Sequence, residues 1–100
     1  MPESRPQERR REVRRPAQGS VRLSTIQPGV YETEGELVDV SHSGFRARHG
    51  WLELSCGDTV RFAHAFARGI ARVVWSRIHA ASAETGFLIL EREETTSRPA

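Results

Sequence analysis

TVRFAHAFARGIARVVW, residues 59–75, carries the clearest secondary-structure signal in the chain. Its first part, residues 59–66, alternates along the chain, with Val60 and Phe62 on one face and Arg61 on the other, which is the period of a half-buried strand. Gly69 interrupts the alternation, and residues 70–75 then form a β-branched, apolar run typical of a buried strand. We therefore predict two strands here, separated at Gly69.

Similar short apolar segments, bounded by glycine, proline or polar clusters, lie on both sides of this stretch. We predict further strands at residues 20–26, 31–40, 45–48 and 86–90, and a polar loop or short helical turn at residues 76–84. No segment has the periodicity of an amphipathic helix. The pattern predicts an all-β fold, a small six-stranded antiparallel β-barrel, whose closure also removes the exposed edges of a small sheet.

Composition and length limit the functions open to this chain. One hundred residues, 37% hydrophobic and 28% charged, are typical of one soluble domain with a modest core. No apolar run is long enough to cross a membrane, so we expect no membrane insertion, and the charged N-terminus does not have the pattern of a secretory signal. The single cysteine, Cys56, cannot form an internal disulfide, which favours a reducing, cytoplasmic setting.

The charge distribution separates the N-terminus from the body of the chain. All fifteen basic residues are arginine; residues 1–22 carry a net charge of +4 and the remaining residues a net charge of −2. We interpret residues 1–8 as a disordered lead-in, residues 9–18 as a flexible, extended arginine-rich arm of the barrel domain, which spans 9–91, and residues 92–100 as a polar tail. This tail leaves room for little or no C-terminal helix.

Two short motifs carry the functional signal. The arm contains Arg10-x-x-x-Arg14, and Asp39-Val40-Ser41-His42-Ser43-Gly44 follows at the end of a predicted strand. Arginine forks bind phosphate and guanine edges and stack on flat rings. Asp39 and Ser41 lie two residues apart on an extended segment and so point to one side. Together the motifs predict a site for a small anionic nucleotide.

Both motifs, in this order before and within a barrel pattern, resemble the PilZ family of bacterial cyclic di-GMP receptors. The matching stretches are ERRREVRRP at 8–16, GELVDVSHSGFRAR at 35–48, CGDTVRF at 56–62, ARVVWSR at 71–77 and ETGFLIL at 84–90. The resemblance implies a six-stranded barrel that binds cyclic di-GMP through Arg10, Arg14, Asp39, Ser41 and Gly44. Three further arginines, Arg9, Arg11 and Arg48, are additional candidates for ligand contact.

The resemblance also implies how such a protein would act. It would be a receptor or adaptor without catalytic residues, cofactor or metal; ligand binding would order the arginine-rich arm, and the signal would pass to an unidentified effector protein. In this family an arginine immediately before the first motif, here Arg9, tends to accompany a stacked pair of ligands. The number of ligands per chain, one or two, stays open.

Some side chains near the motifs admit two interpretations. Asp39 could accept from a guanine N–H donor or hold an arginine in place. Arg46 and Arg48 alternate outward on the next strand and could extend the site. Trp75 could cap a base, although a tryptophan after Val73-Val74 is also an ordinary core residue.

Other classes of function fit the sequence less well. A nucleic-acid-binding barrel would use the basic arm, but the acidic body and the apparent core positions of the aromatic residues disfavour this class. A PilZ-like adaptor that binds no ligand is a second alternative, and the intact motifs disfavour it. Asp39, Ser41 and His42 are too close along one strand for the geometry of a hydrolase triad. Cys56 and the four histidines, His42, His49, His64 and His79, do not have metal-ligand spacing.

Overall fold

The computed structural model describes residues 13–93, and these residues form seven antiparallel strands and no helix. The strands are β1 Arg15–Pro16, β2 Ser20–Ser24, β3 Glu32–Val40, β4 Gly44–His49, β5 Thr59–His64, β6 Ala67–His79 and β7 Ser82–Arg92. Six of them follow one another around a closed barrel in the order β3, β2, β5, β6, β7, β4, and β4 pairs back onto β3. The two-residue β1 is an extra strand on β3. The predicted six-stranded antiparallel barrel is confirmed.

Alternating side chains of the strands fill the barrel, as the period of two requires. Phe45 lies at its centre, stacked on Phe87 with ring centroids 4.7 Å apart and tilted against Phe62 at 4.8 Å. Val60 and Phe62 are buried, as the sequence pattern predicted, while Arg61 points to the outside and pairs with Glu93. Phe45 anchors β4 in this core, and β4 also contributes residues to the candidate site.

The predicted break at Gly69 is wrong, because β6 continues through this residue to His79. Gly69 has a φ of +152° and pairs with both Phe62 and Arg92. A side chain there would collide with the Glu91 carbonyl oxygen. The glycine therefore marks a point where neighbouring backbones approach closely within a strand.

The predicted loop or helical turn at residues 76–84 is also wrong. β6 and β7 form a long hairpin here, and only Ala80 and Ala81 connect the two strands. Of the polar residues that suggested a loop, Ser76 belongs to a hydrogen-bond network with two buried residues: His49 Nε2 lies 2.8 Å from Thr85 Oγ1, and Thr85 Oγ1 lies 2.9 Å from Ser76 Oγ. The backbone N–H of Trp51 donates to His49 Nδ1, so Nε2 carries the proton and donates to Thr85. Buried polar groups with partners are compatible with a strand.

Register shifts in two of the strand ladders alter the alternation of inward and outward side chains. In the β3–β4 ladder the register shifts between Leu37 and Asp39, so that Val38 is the extra residue. Leu37 and Val40 both pack on the core, and Asp39 pairs with Arg46. A regular alternation would place Leu37 and Asp39 on one face of the strand, and the bulge puts them on opposite faces. The β6–β7 ladder has two further shifts, one between Ile70 and Ala71 and one between Val73 and Trp75.

Candidate functional site

The two sequence motifs meet at the end of β3. Arg14, which immediately precedes β1, donates from Nη1 to Ser41 Oγ at 3.2 Å, and its Nε lies 3.7 Å from Asp39 Oδ1. β1 positions this arginine, because Arg15 and Pro16 pair with Val40 and Asp39. Residues separated by about two dozen positions in the sequence therefore form one polar cluster on the outside of the barrel.

Asp39 is the centre of this cluster. Its side chain is only 8% exposed, although it points away from the core, because the guanidinium groups of Arg14 and Arg46 cover it. Arg46 donates to Asp39 Oδ2 from Nε at 2.9 Å and also from Nη2. This hydrogen bond raises the pKa of Arg46 above its ordinary value, against the opposing effect of its partial burial. Asp39 thus fixes the orientation of two arginine forks.

Asp39 keeps some capacity to accept hydrogen bonds. Its Oδ1 is buried and accepts none from residues 13–93, although Arg14 Nε lies close enough for an ion pair. A carboxylate oxygen offers two acceptor positions, and a buried acceptor without a hydrogen bond is energetically costly. A donor group of a ligand would relieve this cost if it displaced or joined Arg14 at Oδ1.

An ion-pair network extends the cluster along β4 to β7. Glu84 lies 3.6 Å from Arg46 Nη1 and 4.0 Å from Arg48 Nη2, and Arg48 Nη1 lies 3.5 Å from Glu36 Oε1. Arg48 is half exposed, and its partner Glu36 is 70% exposed. Exposed pairs of this kind stabilise the fold little, so Arg48 is free to exchange a carboxylate partner for another anion.

The segment after β3 makes a tight turn that holds Ser41. The Ser41 backbone N–H donates to the Gly44 carbonyl at 2.9 Å, and its hydroxyl lies 3.4 Å from the same oxygen. At Gly44 a side chain would collide with the Phe87 carbonyl oxygen, because β4 and β7 approach closely there. Gly44 therefore has a packing role in the strand pairing, in addition to any contact with a ligand.

Trp75 lies in the same row of the outer surface as the cluster. Asp39 pairs with Arg46, Arg46 with Gly86, and Gly86 with Trp75, across four neighbouring strands. Adjacent strands are about 4.8 Å apart, so the row from Asp39 to Trp75 spans about 14 Å. The Trp75 indole leans over Gly86 towards Arg46, and it lies outside the hydrophobic core cluster. Arg77 stacks over its ring at 5.2 Å from the centroid.

A cavity of about 480 Å³ opens beside this surface, at the end of the barrel. Its walls combine apolar side chains with polar residues of the turn; they include Val13, Pro16, Val40, Ser41, His42, Phe66, Ile89 and Arg92. His64 also lines the cavity, and burial together with the charge of Arg92 lowers its pKa to about 4. Ser41 and Gly44 therefore separate two surfaces, the arginine cluster and this cavity.

The predicted site residues fall into three groups. Arg14, Asp39 and Ser41 are brought into contact, Gly44 closes the turn beside them, and Arg48 reaches the cluster through Glu84. Arg9, Arg10 and Arg11 lie outside the described residues, whereas residues 13–18 of the predicted arm are described, and Arg15 and Pro16 pair there with β3.

From the sequence alone, Arg46 was only a possible extension of the site, and Glu84 was predicted to lie in a loop. Both are central to the network. The alternation of Phe45-Arg46-Ala47-Arg48 indicated an outward Arg46, but its pairing with Asp39 depends on the Val38 bulge. Among residues 13–93 no group of three His, Cys, Asp or Glu side chains could hold a metal ion, and Cys56 is exposed and free.

No protein-family model matches the chain, and no curated protein matches it either. In the part of the chain that the structure describes, no helix is long and apolar enough to span a membrane.

Proposed function

We propose that this protein is a cyclic di-GMP receptor of the PilZ type. The observation that carries the proposal is the contact of Arg14 with both Asp39 and Ser41. This contact joins the arginine motif and the D-x-S-x-x-G motif in one site, as a shared ligand would require. The barrel fold agrees with that of the family, whose resemblance to this chain rests on the two motifs.

The chemistry of the cluster suits a cyclic dinucleotide with two phosphates and two guanines. Arg14 is 43% exposed and keeps N–H donors for a phosphate or for the O6 and N7 edge of guanine. Arg46, oriented by Asp39, offers a second fork. Asp39 Oδ1 can accept from a guanine N–H group, and the Ser41 hydroxyl can donate to phosphate. Arg10 would add another guanidinium from the arm.

Trp75 extends the site at its far end. Indole rings stack on purine bases, and the ring lies along the same row of the surface as Arg46. Its partner Arg77 makes this end of the row positive. A ligand bound along the row would therefore have cationic groups at the Asp39 end and, at the other end, an aromatic ring that lies over Gly86.

The proposed receptor acts by binding alone. It would be a cytoplasmic, non-enzymatic adaptor in which cyclic di-GMP is the signal, and an effector protein that recognises the liganded surface would give the response. In the described part of the arm, Arg15 and Pro16 already pair with β3, so the proposed ordering on binding concerns the residues before Val13.

The decisive experiment is a calorimetric titration of the full chain with cyclic di-GMP. The Arg14→Ala and Ser41→Ala variants are compared with Arg22→Ala, which removes an exposed arginine paired with Glu32 on the opposite end of β3. Loss of a charge-assisted hydrogen bond costs roughly 1.5–3 kcal/mol, so Arg14→Ala is expected to bind about ten- to a hundredfold more weakly. Arg22→Ala is expected to bind like the wild type.

The same titration with a single-stranded oligonucleotide separates the receptor from a nucleic-acid-binding barrel. We expect no measurable oligonucleotide binding at physiological salt. Tight, steeply salt-dependent binding of the oligonucleotide without binding of cyclic di-GMP would support the nucleic-acid class instead. Equal affinity of Arg14→Ala, Ser41→Ala and Arg22→Ala for cyclic di-GMP would refute the proposed binding site.

A further inference from the structure

The cavity at the end of the barrel is separate from the surface proposed for cyclic di-GMP. Its volume of about 480 Å³ lies within the range of small-molecule sites. Arg14, Asp39 and Arg46 do not line it, and they border another depression on the outside of the barrel. Ser41 and Gly44 form the wall between the two surfaces.

The cavity has an apolar base and an apolar rim. Val40, Ala67 and Ile89 line it and pack against the hydrophobic core. Two further lining residues, Val13 and Phe66, are 69% and 64% exposed. Large apolar side chains that stay in contact with water beside a cavity gain free energy when an apolar group covers them. A matching occupant therefore has an apolar body.

The charged groups of the lining are all cationic. Arg15 and Arg92 line the cavity, and none of its lining residues is acidic. Within residues 13–93 neither arginine has a carboxylate oxygen at ion-pair distance, in contrast to the arginines of the cluster around Asp39. His64 adds no charge at neutral pH, because burial and the charge of Arg92 lower its pKa to about 4. Guanidinium groups without a carboxylate partner beside an apolar cavity attract an anion.

Arg92 also connects the cavity with the turn that holds Ser41. Its Nη2 donates to the His42 carbonyl oxygen at 2.7 Å, and the backbone N–H of Ile89 donates to the Ser43 carbonyl oxygen at 2.7 Å. A guanidinium group has five N–H donors, so Arg92 keeps donors for an anion while it contacts the turn. An anion at Arg92 therefore changes the surroundings of this turn, which gives the site a local spectroscopic signature.

We propose that this cavity binds a small amphipathic anion. Its aliphatic or aromatic body lies against Phe66 and the apolar base, and its carboxylate, sulfonate or phosphate group lies at Arg92, with Arg15 adding to the attraction. A neutral apolar ligand would leave both guanidinium groups without an anion, and a small hydrophilic anion would leave Val13 and Phe66 exposed. The site does not depend on the proposed binding of cyclic di-GMP.

Fluorescence titration of the full chain tests the site with two probes: anilinonaphthalene sulfonate, an aromatic anion, and phenylnaphthylamine, which has the same rings without the sulfonate. At neutral pH we expect the wild type to bind the anion saturably and more tightly than the neutral probe. Arg92→Gln removes a cation and is expected to bind the anion about tenfold more weakly, with little change for the neutral probe. Arg15→Gln leaves the His42 contact intact and is also expected to weaken anion binding. Arg72→Gln, at an exposed arginine about 17 Å further along β6 than Ala67, is the matched control and is expected to bind both probes like the wild type.

Amide NMR spectra of the wild type locate the bound anion. Added anilinonaphthalene sulfonate should shift the signals of Ser43, Gly44 and Ile89 and leave that of Trp51, beside the opposite end of β5, unchanged. The same spectra show that each chain is folded, which matters because this probe also binds partly unfolded proteins. A wild type that does not bind the anion, equal anion affinity of Arg92→Gln and Arg72→Gln, or shifts at Trp51 instead of the turn would each overturn the inference.

Discussion

Gly86 lies directly beneath the indole of Trp75. A Cβ atom at this position would stand 2.6 Å from Trp75 Cε2 and closer still to Nε1. Gly86 is also the residue that pairs with Arg46 on the other side of β7. The missing side chain thus allows the aromatic ring to lie down on the sheet, next to the arginine that Asp39 holds.

We predict that Gly86→Ala lifts the indole off the sheet. The methyl group would force the ring, which is a side chain and can move, to give way, at a cost of about 1–3 kcal/mol in unfolding free energy. Chemical denaturation measures this loss, and tryptophan fluorescence in a Trp51→Phe background reports the new environment of Trp75. Gly50→Ala is the control, because a Cβ there meets open space and the backbone φ is ordinary. If the proposed function holds, Gly86→Ala also weakens cyclic di-GMP binding. Unchanged Trp75 fluorescence in Gly86→Ala would contradict the placement of the indole on Gly86.

The β6–β7 turn offers a stabilising substitution. Ala80 has a φ of +60°, in the left-handed region that costs a residue with a Cβ roughly 1–2 kcal/mol. Glycine adopts this conformation without that strain but loses more entropy on folding. We therefore expect Ala80→Gly to raise the unfolding free energy by up to about 1 kcal/mol, measured by urea denaturation. Ala81→Gly, at an ordinary φ, should lower the unfolding free energy. If Ala80→Gly lowered it as well, the proposed backbone strain at Ala80 would be contradicted.

The barrel could be predicted from the sequence because its inward residues are mostly apolar and its strands are short. The failures have physical causes. At residues 76–85 the inward positions Ser76 and Thr85 are polar; they bond to each other, and Thr85 also bonds to the buried His49, which is distant in sequence. A pattern that assigns polar residues to loops cannot detect such a partner. Gly69 suggested a break because glycine occurs both where a strand ends and where two backbones approach closely within a sheet.

The candidate site was predictable in part for a related reason. Asp39 and Ser41 were recognised from their motif, since two residues on an extended segment point to one side. The importance of Arg46 could not be inferred, because it depends on the bulge at Val38, which reverses the facing of Asp39 relative to Leu37. A bulge leaves no reliable mark in one sequence. Arg46 became a central residue only once the register was known.

The stability of the barrel should fall as the pH decreases from about 6.5 to about 4. Burial, and secondarily Arg92, lowers the pKa of His64 to about 4, whereas the unfolded chain titrates near 6.5. Between these values the unfolded state binds a proton that the folded state does not, so protonation favours unfolding. Above pH 6.5 the contribution of His64 is fully present, and below about pH 4 its loss is complete. Burial also lowers the pKa of His49, which adds to the same trend.

A His64→Phe variant separates the contributions of His64 and His49 to the loss of stability at low pH. Phenylalanine preserves the ring contacts with Phe45 and Phe62 but removes the titrating group. We expect a smaller decrease in denaturation midpoint between pH 6.5 and 4 than in the wild type, with the remainder due to His49. His79→Gln, at an exposed position of the hairpin end, should keep the full decrease. An identical pH profile for wild type and His64→Phe would exclude His64 as a source of acid sensitivity.

Asp39 is expected to be the most important acidic residue of the outer surface, both for stability and for the site. Asp39→Asn keeps the shape of the side chain but removes the charge that faces Arg14 and Arg46, and an amide N–H₂ group then points at one of them. Hydrogen bonds to charged groups contribute about 1.5–3 kcal/mol, and we expect the low end of that range, since both arginines are partly exposed and can be hydrated. Glu36→Gln is the matched control: its partner Arg48 is half exposed and its own side chain is 70% exposed, so its effect should stay within about 0.5 kcal/mol. Urea denaturation of both variants measures the difference in unfolding free energy.

The proposed receptor adds a second measurement for the same two variants. Because the loss of the Asp39 charge frees Arg14 and Arg46 from their common anchor, calorimetry should show weaker binding of cyclic di-GMP by Asp39→Asn than by Glu36→Gln. Equal stability of the two variants would show that Asp39 does not organise the cluster, whereas a stability difference without a binding difference would keep the cluster and reject its role in the ligand site.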